Sequence, residues 1–452
     1  MGGVECSHMN KAVWVALIVV VFASSVVVVP AISKWGAKSG NETQLFDLDE
    51  LRDPKNLKYK VISEETLVVD GEAVRRVDVQ FLSLEWRGKR WTHRAIIFYP
   101  EGCQTALGAI VTGGIGHRGQ EWFVEEFGLK ASAETGVPVL LLGGVPNVQF
   151  GIEDEDELMG YCMSKAFETK DPTWCLLYPM ATAYMRAMTL LQELAPSHPT
   201  SFVLSGGCKR AWAAWVAAIY DDRVVGLVVR SFNTANVTAL AERHLRLYGE
   251  YVGSLATLNK YGVVDAVEEN RWYLDVYEPI RHFDEVCSRL DVLVLTGSAD
   301  RLFPVGMEKT YLDAYGGEIW FEITPNTTHT GLHSSFRAVA SWKAFLLHIV
   351  LGAGLPKLSA QVQASEGTVY VSLSVEPQDC QVVDVRVWSC VADDEVGLIS
   401  TNWRPTDAIQ EGELWLAELP LQGPVMGVYV EASFTIGGVT GFVSTAMETV
   451  ES

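Results

Sequence analysis

The chain has 452 residues, of which 48% are hydrophobic, so it is long enough for two or three domains and a large core. Its formal net charge is −21. A nucleic-acid-binding surface neutralises phosphates with lysine and arginine, so this acidic balance argues against a nucleic-acid partner. The hydrophobic content also excludes a largely disordered chain.

The N-terminus contains an uncharged, apolar stretch at residues 12–32. A helix of about 20 residues is needed to cross a bilayer, and the apolar core of a cleaved signal peptide is shorter. We therefore interpret residues 1–38 as a signal-anchor that makes the protein single-pass, with cleavage and secretion as the alternative. N-x-Thr sequons favour a body that faces the lumen or the cell exterior, and they lie at Asn41, Asn236 and Asn326.

The pattern of apolar and polar residues changes twice after this stretch. Residues 38–58 are polar and are predicted to form a stalk, and residues 59–100 alternate as antiparallel strands do. Continuous apolar runs follow, which are typical of strands buried on both faces of a sheet. These runs are "ALGAIVTGG", "VPVLLLGG", "TSFVLSGG", "VVGLVVRS", "LDVLVLTGSAD" and "EIWFEITPN".

Helical segments separate these runs, and the clearest is "DPTWCLLYPM", with Asp171 as N-cap and Pro172 at the first helical position. Strand–helix alternation predicts an α/β fold with a mostly parallel sheet and helices on both faces. We assign it to residues 39–355, with an inserted helical cap at about 236–285. Residues 356–452 alternate again and predict a separate antiparallel β domain of the sandwich type.

The chain has eight cysteines. Spacing alone does not fix how they pair. Cys380 and Cys390 flank one predicted turn and are the best candidates for a disulfide, the alternative being that they are buried thiols.

Reactive side chains follow three of the apolar runs. Cys208 comes directly after "TSFVLSGG", Asp300 lies in "TGSADRLFP" and His329 lies in "TPNTTHTGL". Catalytic groups gather at the carboxyl ends of parallel strands, and nucleophile, acid and base in this chain order is the order of an α/β-hydrolase. In this interpretation Cys208 attacks as a thiolate, His329 moves the proton and Asp300 orients the imidazole.

Backbone groups supply the second part of the predicted site. Gly113 and Gly114 follow the first apolar run, and N–H groups in that loop and at Lys209 are candidates for an oxyanion hole. The predicted helix N-terminus, with Lys209 and Arg210 beside it, favours the thiolate form of Cys208.

Each of these residues also has a purely structural explanation. A cysteine after a strand is more often a small buried hydrophobe, an aspartate often caps a helix, and glycine pairs usually mark turns. His333 lies close to His329 and competes for the role of base. Three residue types at three strand ends, in the required order, favour the triad over these separate explanations.

Several stretches of the chain resemble the PhoPQ-activated pathogenicity-related family, which includes secreted autocrine proliferation repressors. They are "DPTWCLLYPMATAYMRAM", "GGCKRAWAAW" with "DDRVVGLV" after it, "TGSADRLFP", "TPNTTHTGL", and the terminal "GVYVEASF" with "GFVST". The resemblance runs from about Tyr59 to the C-terminus. It implies an α/β-hydrolase with an accessory C-terminal β domain, and it places the triad at Cys208, Asp300 and His329. The family's nucleophile is a serine followed by Lys-Arg-Gly-Trp, so this chain departs from the pattern at Cys208 and Ala211.

Two functions follow from these observations. The first is a membrane-anchored or secreted hydrolase that cleaves an ester, thioester or peptide-like acyl bond with a Cys-His-Asp triad. The second is a catalytically silent ectodomain, in which the serine-to-cysteine change has inactivated the site and the C-terminal β domain binds a protein partner. The sequence has neither the clustered ligands of a metal centre nor a nucleotide-binding motif, so neither function requires a cofactor.

Overall fold

The structure is a computed structural model that describes residues 45–113, 120–399 and 402–451. In these three ranges no helix combines the length and the apolar character that are required to cross a bilayer. The predicted anchor at residues 12–32 and the sequon at Asn41 lie outside the described residues, so both stay predictions.

A 14-stranded mixed sheet organises the molecule. Its first nine strands lie side by side in the order β1-β2-β3-β5-β4-β6-β7-β8-β9, and those from β5 to β9 are parallel. Their bounds are β1 (Lys58–Val69), β2 (Glu72–Trp86), β3 (Lys89–Pro100), β4 (Leu107–Thr112), β5 (Val139–Leu142), β6 (Ser201–Gly207), β7 (Val224–Arg230), β8 (Asp291–Gly297) and β9 (Ile319–Thr324). The six continuous apolar runs are the six parallel strands, which confirms that prediction.

Helices cover both faces of the sheet, as the alternation of elements predicts. One hydrophobic cluster lies under α5, α6 and the helices after β7, and a second lies under α3 and α12. The helices are α1 (Leu48–Arg52), α2 (Gln120–Phe123), α3 (Ala131–Thr135), α4 (Glu155–Thr169), α5 (Leu177–Leu194), α6 (Lys209–Tyr220), α7 (Val237–Tyr248), α8 (Ser254–Asn259), α9 (Arg271–Tyr277), α10 (Phe283–Val286), α11 (Lys309–Leu312), α12 (Phe336–Leu351) and α13 (Glu395–Leu398). A π-helical segment, Val124–Lys130, joins α2 to α3.

The C-terminal strands are antiparallel, as predicted, and form two sheets. They are β10 (Lys357–Ser365), β11 (Thr368–Glu376), β12 (Gln381–Ala392), β13 (Arg404–Asp407), β14 (Ile409–Glu411), β15 (Leu414–Pro420), β16 (Val425–Ile436), β17 (Val439–Ser444) and β18 (Glu448–Glu451). β10, β11, β15 and β14 make a separate four-stranded sheet. The other strands extend the main sheet, because Ser444 of β17 pairs with Phe321 of β9.

Two local predictions are wrong. Residues 45–58, predicted as part of a stalk, are folded onto the body, since Phe46 and Leu51 are buried in the core and Arg52 lies 2.7 Å from the carboxylate of Asp221. The helix predicted to begin at Pro172 begins at Leu177 instead. Asp171 caps a short 3₁₀ turn, Pro172–Trp174. The Asp-Pro pair therefore marks the start of this turn and not the start of the helix that follows.

The candidate disulfide is also not formed. No bond joins Cys380 to Cys390, and the Cys380 thiol donates instead to the carbonyl of Gly354 at 3.3 Å. The alternative, that these cysteines are buried thiols, is the one that the structure supports.

A buried histidine links the antiparallel and parallel parts of the sheet. The ring of His93 on β3 lies between the hydroxyl of Ser83 (2.8 Å from Nε2) and the carbonyl of Gly143 (3.1 Å from Nδ1). Nδ1 therefore carries the proton and Nε2 accepts one, which is the pattern of a neutral imidazole. Burial lowers the pKa of His93 from 6.5 to about 4, although hydrogen bonds to backbone carbonyls oppose that shift.

We expect His93 to make the fold sensitive to acid. Its pKa is lowered on folding, so its contribution to stability is present above pH 6.5 and is lost as the pH falls towards 4. By pH 5 the free energy of unfolding should have fallen by about 2 kcal/mol from its value well above pH 6.5. Urea unfolding of the full chain should show this loss, and His93→Gln should reduce it. The exposed His198→Gln is the control, and an equal pH dependence in both variants would contradict the assignment.

Candidate active site

The nucleophile candidate lies on a turn of one residue between a strand and a helix. β6 ends at Gly207 and α6 begins at Lys209, so Cys208 alone makes the turn, with φ 55° and ψ −129°. A non-glycine residue rarely adopts a positive φ, and such strain is concentrated at functional sites. The turn is the strand–elbow–helix geometry that the sequence predicts.

Two glycines before the turn allow its close contacts. A Cβ atom on Gly206 would lie 2.6 Å from the backbone of Arg210, and one on Gly207 would lie 2.5 Å from the ring of His333. Real Cβ atoms are never found so close to other atoms. Gly206 therefore lets the first turn of α6 fold back on β6, and Gly207 makes room for His333.

Hydrogen bonds hold the turn from behind. The amide of Cys208 donates to the carbonyl of Arg230 at 2.9 Å. The hydroxyl of Tyr184, which is fully buried on α5, lies 3.1 Å from the carbonyl oxygens of both Ser205 and Arg210. The strand before the turn and the helix after it are thus tied to one side chain.

The acid and base candidates meet beside this turn. Nδ1 of His329, in the loop after β9, donates to Oδ2 of Asp300 at 2.8 Å. Asp300, after β8, is fully buried, and its other oxygen accepts from the amides of Leu302 and Phe303 at 2.8 and 3.0 Å. The carboxylate is fixed on both oxygens, and the second nitrogen of the His329 ring is left unengaged by Asp300, in the cleft that His329 and Cys208 line together.

The surroundings of His329 favour its charged form. Burial lowers the pKa of His329, but hydrogen bonds and opposite charge at Asp300 and Cys208 outweigh it and raise the pKa to about 10. An imidazolium of this kind is stable at neutral pH and stabilises a neighbouring thiolate. The arrangement is that of a charged imidazole with a carboxylate behind it and a cysteine in the same cleft.

The competing histidine is in a different environment. His333 fills the space above Gly207, and its ring centroid lies 6.2 Å from that of His329. Burial, together with the nearby charges of Arg230, His329 and Arg210, lowers the pKa of His333 to about 3. Asp300 bonds to His329, so it is His329 and not His333 that occupies the position of the predicted base.

The oxyanion candidates lie partly within the described residues. Gly113 and Lys209 line the same cleft as Cys208 and His329, whereas Gly114 lies outside the described residues. The side chain of Lys209 also faces the thiol. Burial lowers its pKa, but the charges of Cys208, Asp156 and Glu155 raise it overall.

One charged residue behind the site was not recognised in the sequence. Arg230 ends β7 and is fully buried, and its guanidinium donates to Ser205 Oγ at 3.2 Å and to the carbonyl of Thr112. Its Nη1 has no hydrogen-bond partner, and no carboxylate among the described residues pairs with it. Burial lowers the pKa of Arg230 to about 10. In the sequence, the feature that points to Arg230 is a charged residue at the end of the otherwise apolar run "VVGLVVRS".

The cleft around Cys208 has a volume of about 1190 Å³. Charged residues at its floor neutralise one another, because Arg210 lies 2.5 Å from Glu155 and Lys209 lies 2.5 Å from Asp156. Both carboxylates belong to the start of α4, which faces the start of α6. Other walls of the cleft are formed by Trp122, Val252, Thr257, Arg301 and Thr330.

The strand order, the turn at Cys208 and the acid and base at the ends of β8 and β9 define an α/β-hydrolase fold. The sequence model of the PhoPQ-activated pathogenicity-related protein family matches residues 48–397, which is most of the chain. The chain therefore belongs to this family.

Individual relatives are distant. Autocrine proliferation repressor protein A of Dictyostelium discoideum is 22% identical over 251 residues, which cover 53% of this chain and 50% of that protein. The chain thus spans about half the length of this relative. Among solved structures, an acetyl xylan esterase from Paenibacillus sp. R4 has 14% identity and a TM-score of 0.43, over 65% of this chain and 91% of that one. A glucuronoyl esterase from Solibacter usitatus has 13% identity and a TM-score of 0.41, over 69% and 86%.

A charged imidazole in the cleft of Cys208 predicts fast alkylation of this thiol by iodoacetamide at pH 6. A free thiol is ionised to less than about 1% at that pH, so an activated thiol should react at least tenfold faster. His329→Ala should remove most of this advantage, and Asp300→Asn should reduce it. Mass spectrometry of the digested full chain measures the rate at each cysteine.

Cys103 and Cys287, which are also partly exposed, provide the reference rates within the same digest. Labelling of Cys208 at their rate, unchanged by His329→Ala, would contradict this activation of the thiol.

Proposed function

We propose that the protein is a thiol-dependent acyl hydrolase that uses Cys208 as nucleophile, His329 as acid and base, and Asp300 as the residue that orients the histidine. The observation that carries this proposal is the hydrogen bond between buried Asp300 and His329 in the cleft that is also lined by a cysteine at a strained strand–helix turn. A structural cysteine needs neither the strained backbone nor a histidine with a fixed carboxylate.

The geometry supports a two-step reaction. The Cys208 thiolate attacks the carbonyl carbon of the substrate, and the carbonyl oxygen becomes an oxyanion that faces the backbone N–H groups near Lys209 and Gly113. The intermediate collapses to a thioester as the leaving group departs with the proton of the His329 imidazolium. Neutral His329 then takes a proton from water, whose oxygen attacks the thioester, and the acid product leaves with the thiolate restored.

Positive charge near the reacting atoms assists both steps. Lys209 faces the thiol, and Arg230 carries a buried guanidinium close to the Gly113 backbone. Fixed charges in a site of low dielectric stabilise an anion more strongly than the same charges do in water. Asp300 keeps the imidazole in the productive orientation throughout.

Cys208→Ala in the full chain should lower the hydrolysis of p-nitrophenyl butyrate by at least about 10³-fold, because the covalent step is removed. Cys287→Ala is the matched control and should keep the activity of the unchanged chain. The melting temperature should stay within a few degrees in both variants. Activity retained in Cys208→Ala would refute the proposal.

The alternative is a catalytically silent ectodomain that binds a protein partner. The comparison of Cys208→Ala with Cys287→Ala distinguishes it from the hydrolase. This alternative requires that no ester or thioester be turned over in a Cys208-dependent manner and that Cys208 be labelled slowly. A specific partner of the C-terminal strands would then be its positive test.

We also propose that the body faces the lumen or the cell exterior, anchored through residues 12–32 or released by cleavage after them. The sequons support this location. Asn236 caps α7 through its side-chain oxygen and is partly exposed. Asn326 is exposed, but its side-chain amide bonds on both sides to the backbone of Trp403, at 2.9 and 3.0 Å.

Peptide mapping of the protein from its native membrane tests this location. We expect a glycan at Asn236 and none at Asn326, whose amide is engaged and whose neighbour Thr328 lines the cleft. Absence of glycan at Asn41, Asn236 and Asn326 would contradict a lumenal body. Full occupancy at Asn326 would instead contradict an open cleft beside His329.

A further inference from the structure

A second, smaller cavity opens beside the nucleophile, beneath the helices inserted after β7. Its volume is about 80 Å³. Cys208, Lys209, Asp156 and Ser254 line both this cavity and the large cleft, so the two spaces meet at the turn. We call the smaller space the apolar cavity, because most of its lining is aliphatic or aromatic.

Aromatic rings form a continuous wall from the catalytic base into the apolar cavity. The ring of Phe303 stacks on His329 with centroids 5.8 Å apart, and Phe232 lies 5.1 Å from Phe303. Trp212 stacks on Phe232 at 5.8 Å. The indole N–H of Trp212 donates to the carbonyl of Tyr277 at 2.7 Å, so its polar atom is already satisfied.

The polar residues at the mouth of the apolar cavity are bonded to one another. Lys209 lies 2.5 Å from one oxygen of Asp156, and the hydroxyl of Ser254 donates to the other oxygen at 2.6 Å. Few hydrogen bonds are therefore left for a molecule inside. A polar group that entered would lose its bonds to water, whereas an apolar chain would gain free energy from burial.

We propose that the apolar cavity binds the hydrocarbon chain of the substrate's acyl group, with the carbonyl carbon at Cys208 and the leaving group in the large cleft. A water-sized group needs about 10–15 Å³ of such space, so the cavity holds a chain of roughly five to eight carbons. This inference rests on the proposed function and specifies its substrate class as medium-chain acyl esters or thioesters.

The dependence of turnover on chain length tests this inference. For p-nitrophenyl esters from acetate to palmitate, kcat/KM of the full chain should rise about fourfold per added methylene, since each buried methylene contributes about 0.8 kcal/mol. The rise should stop between about pentanoate and octanoate, where the cavity is filled. A profile that is flat or highest at acetate would overturn the inference while leaving the hydrolase itself established.

Substitutions within the cavity give the second test. Ala241→Leu on α7 fills part of the space and should move the optimum to shorter chains by about three carbons. Leu258→Ala on α8 enlarges the space and should move it to longer chains. Ala239→Leu is the matched control, because Ala239 lies on the same helix but outside the cavity lining. Equal chain-length profiles in all four proteins would refute the assignment.

A binding measurement separates this inference from the proposed function. Cys208→Ala cannot turn over an ester and removes only one sulfur atom where the cavity meets the cleft, so calorimetry should show that it binds octanoate at least tenfold more tightly than acetate. Adding Ala241→Leu should abolish that preference. If no ester is hydrolysed but octanoate binds in this way, the hydrolase proposal fails and the acyl-chain cavity stands. If octanoate and acetate bind equally, the cavity assignment fails.

Discussion

The turn at Cys208 is the constraint on which the rest of the site depends. A parallel strand and the helix that follows it are joined by one residue, which must take a positive φ at a cost of about 1–3 kcal/mol. Gly206 lets the helix lie against the strand, and Tyr184 binds both elements from below. Because the turn is held on these sides, the thiol stands at the edge of the sheet where Asp300 and His329 also emerge.

The carboxylates around the turn are all engaged by partners, whereas part of the positive charge is not paired with a carboxylate. The buried carboxylate of Asp300 has both oxygens used by backbone amides and by His329, and the carboxylates of Glu155 and Asp156 pair with Arg210 and Lys209. Arg230 adds a buried positive charge that no described carboxylate pairs, and the charged ring of His329 adds another in the cleft. An anion that forms at the thiol or at a substrate oxygen is therefore surrounded by fixed cations and dipoles, which need little reorganisation as charge develops.

The sequence predicts the sheet well because strands buried on both faces must be apolar throughout, and it predicts the three strand ends because reactive residues interrupt those runs. It does not distinguish His329 from His333, since that choice depends on how one loop folds over Asp300. The role of Arg230 was missed for the same reason, because its partners come from β4 and β6. Residues 45–58 appear polar in sequence, and only the packing of Phe46 and Leu51 shows that they belong to the body.

The first turn of α6 connects the chemistry of the site with the choice of substrate. Lys209 faces the thiol and also pairs with Asp156 at the mouth of the apolar cavity. The ammonium group of Lys209 is thus held in place by Asp156 of α4. Helix α4 in turn packs on α8, one of the inserted helices. A change in the inserted helices can alter the space offered to an acyl chain without moving the triad, whereas a change that displaces Asp156 would alter both. The ends of the strands fix Cys208, Asp300 and His329, and the acyl-chain selectivity that we propose depends on the helices that cover them.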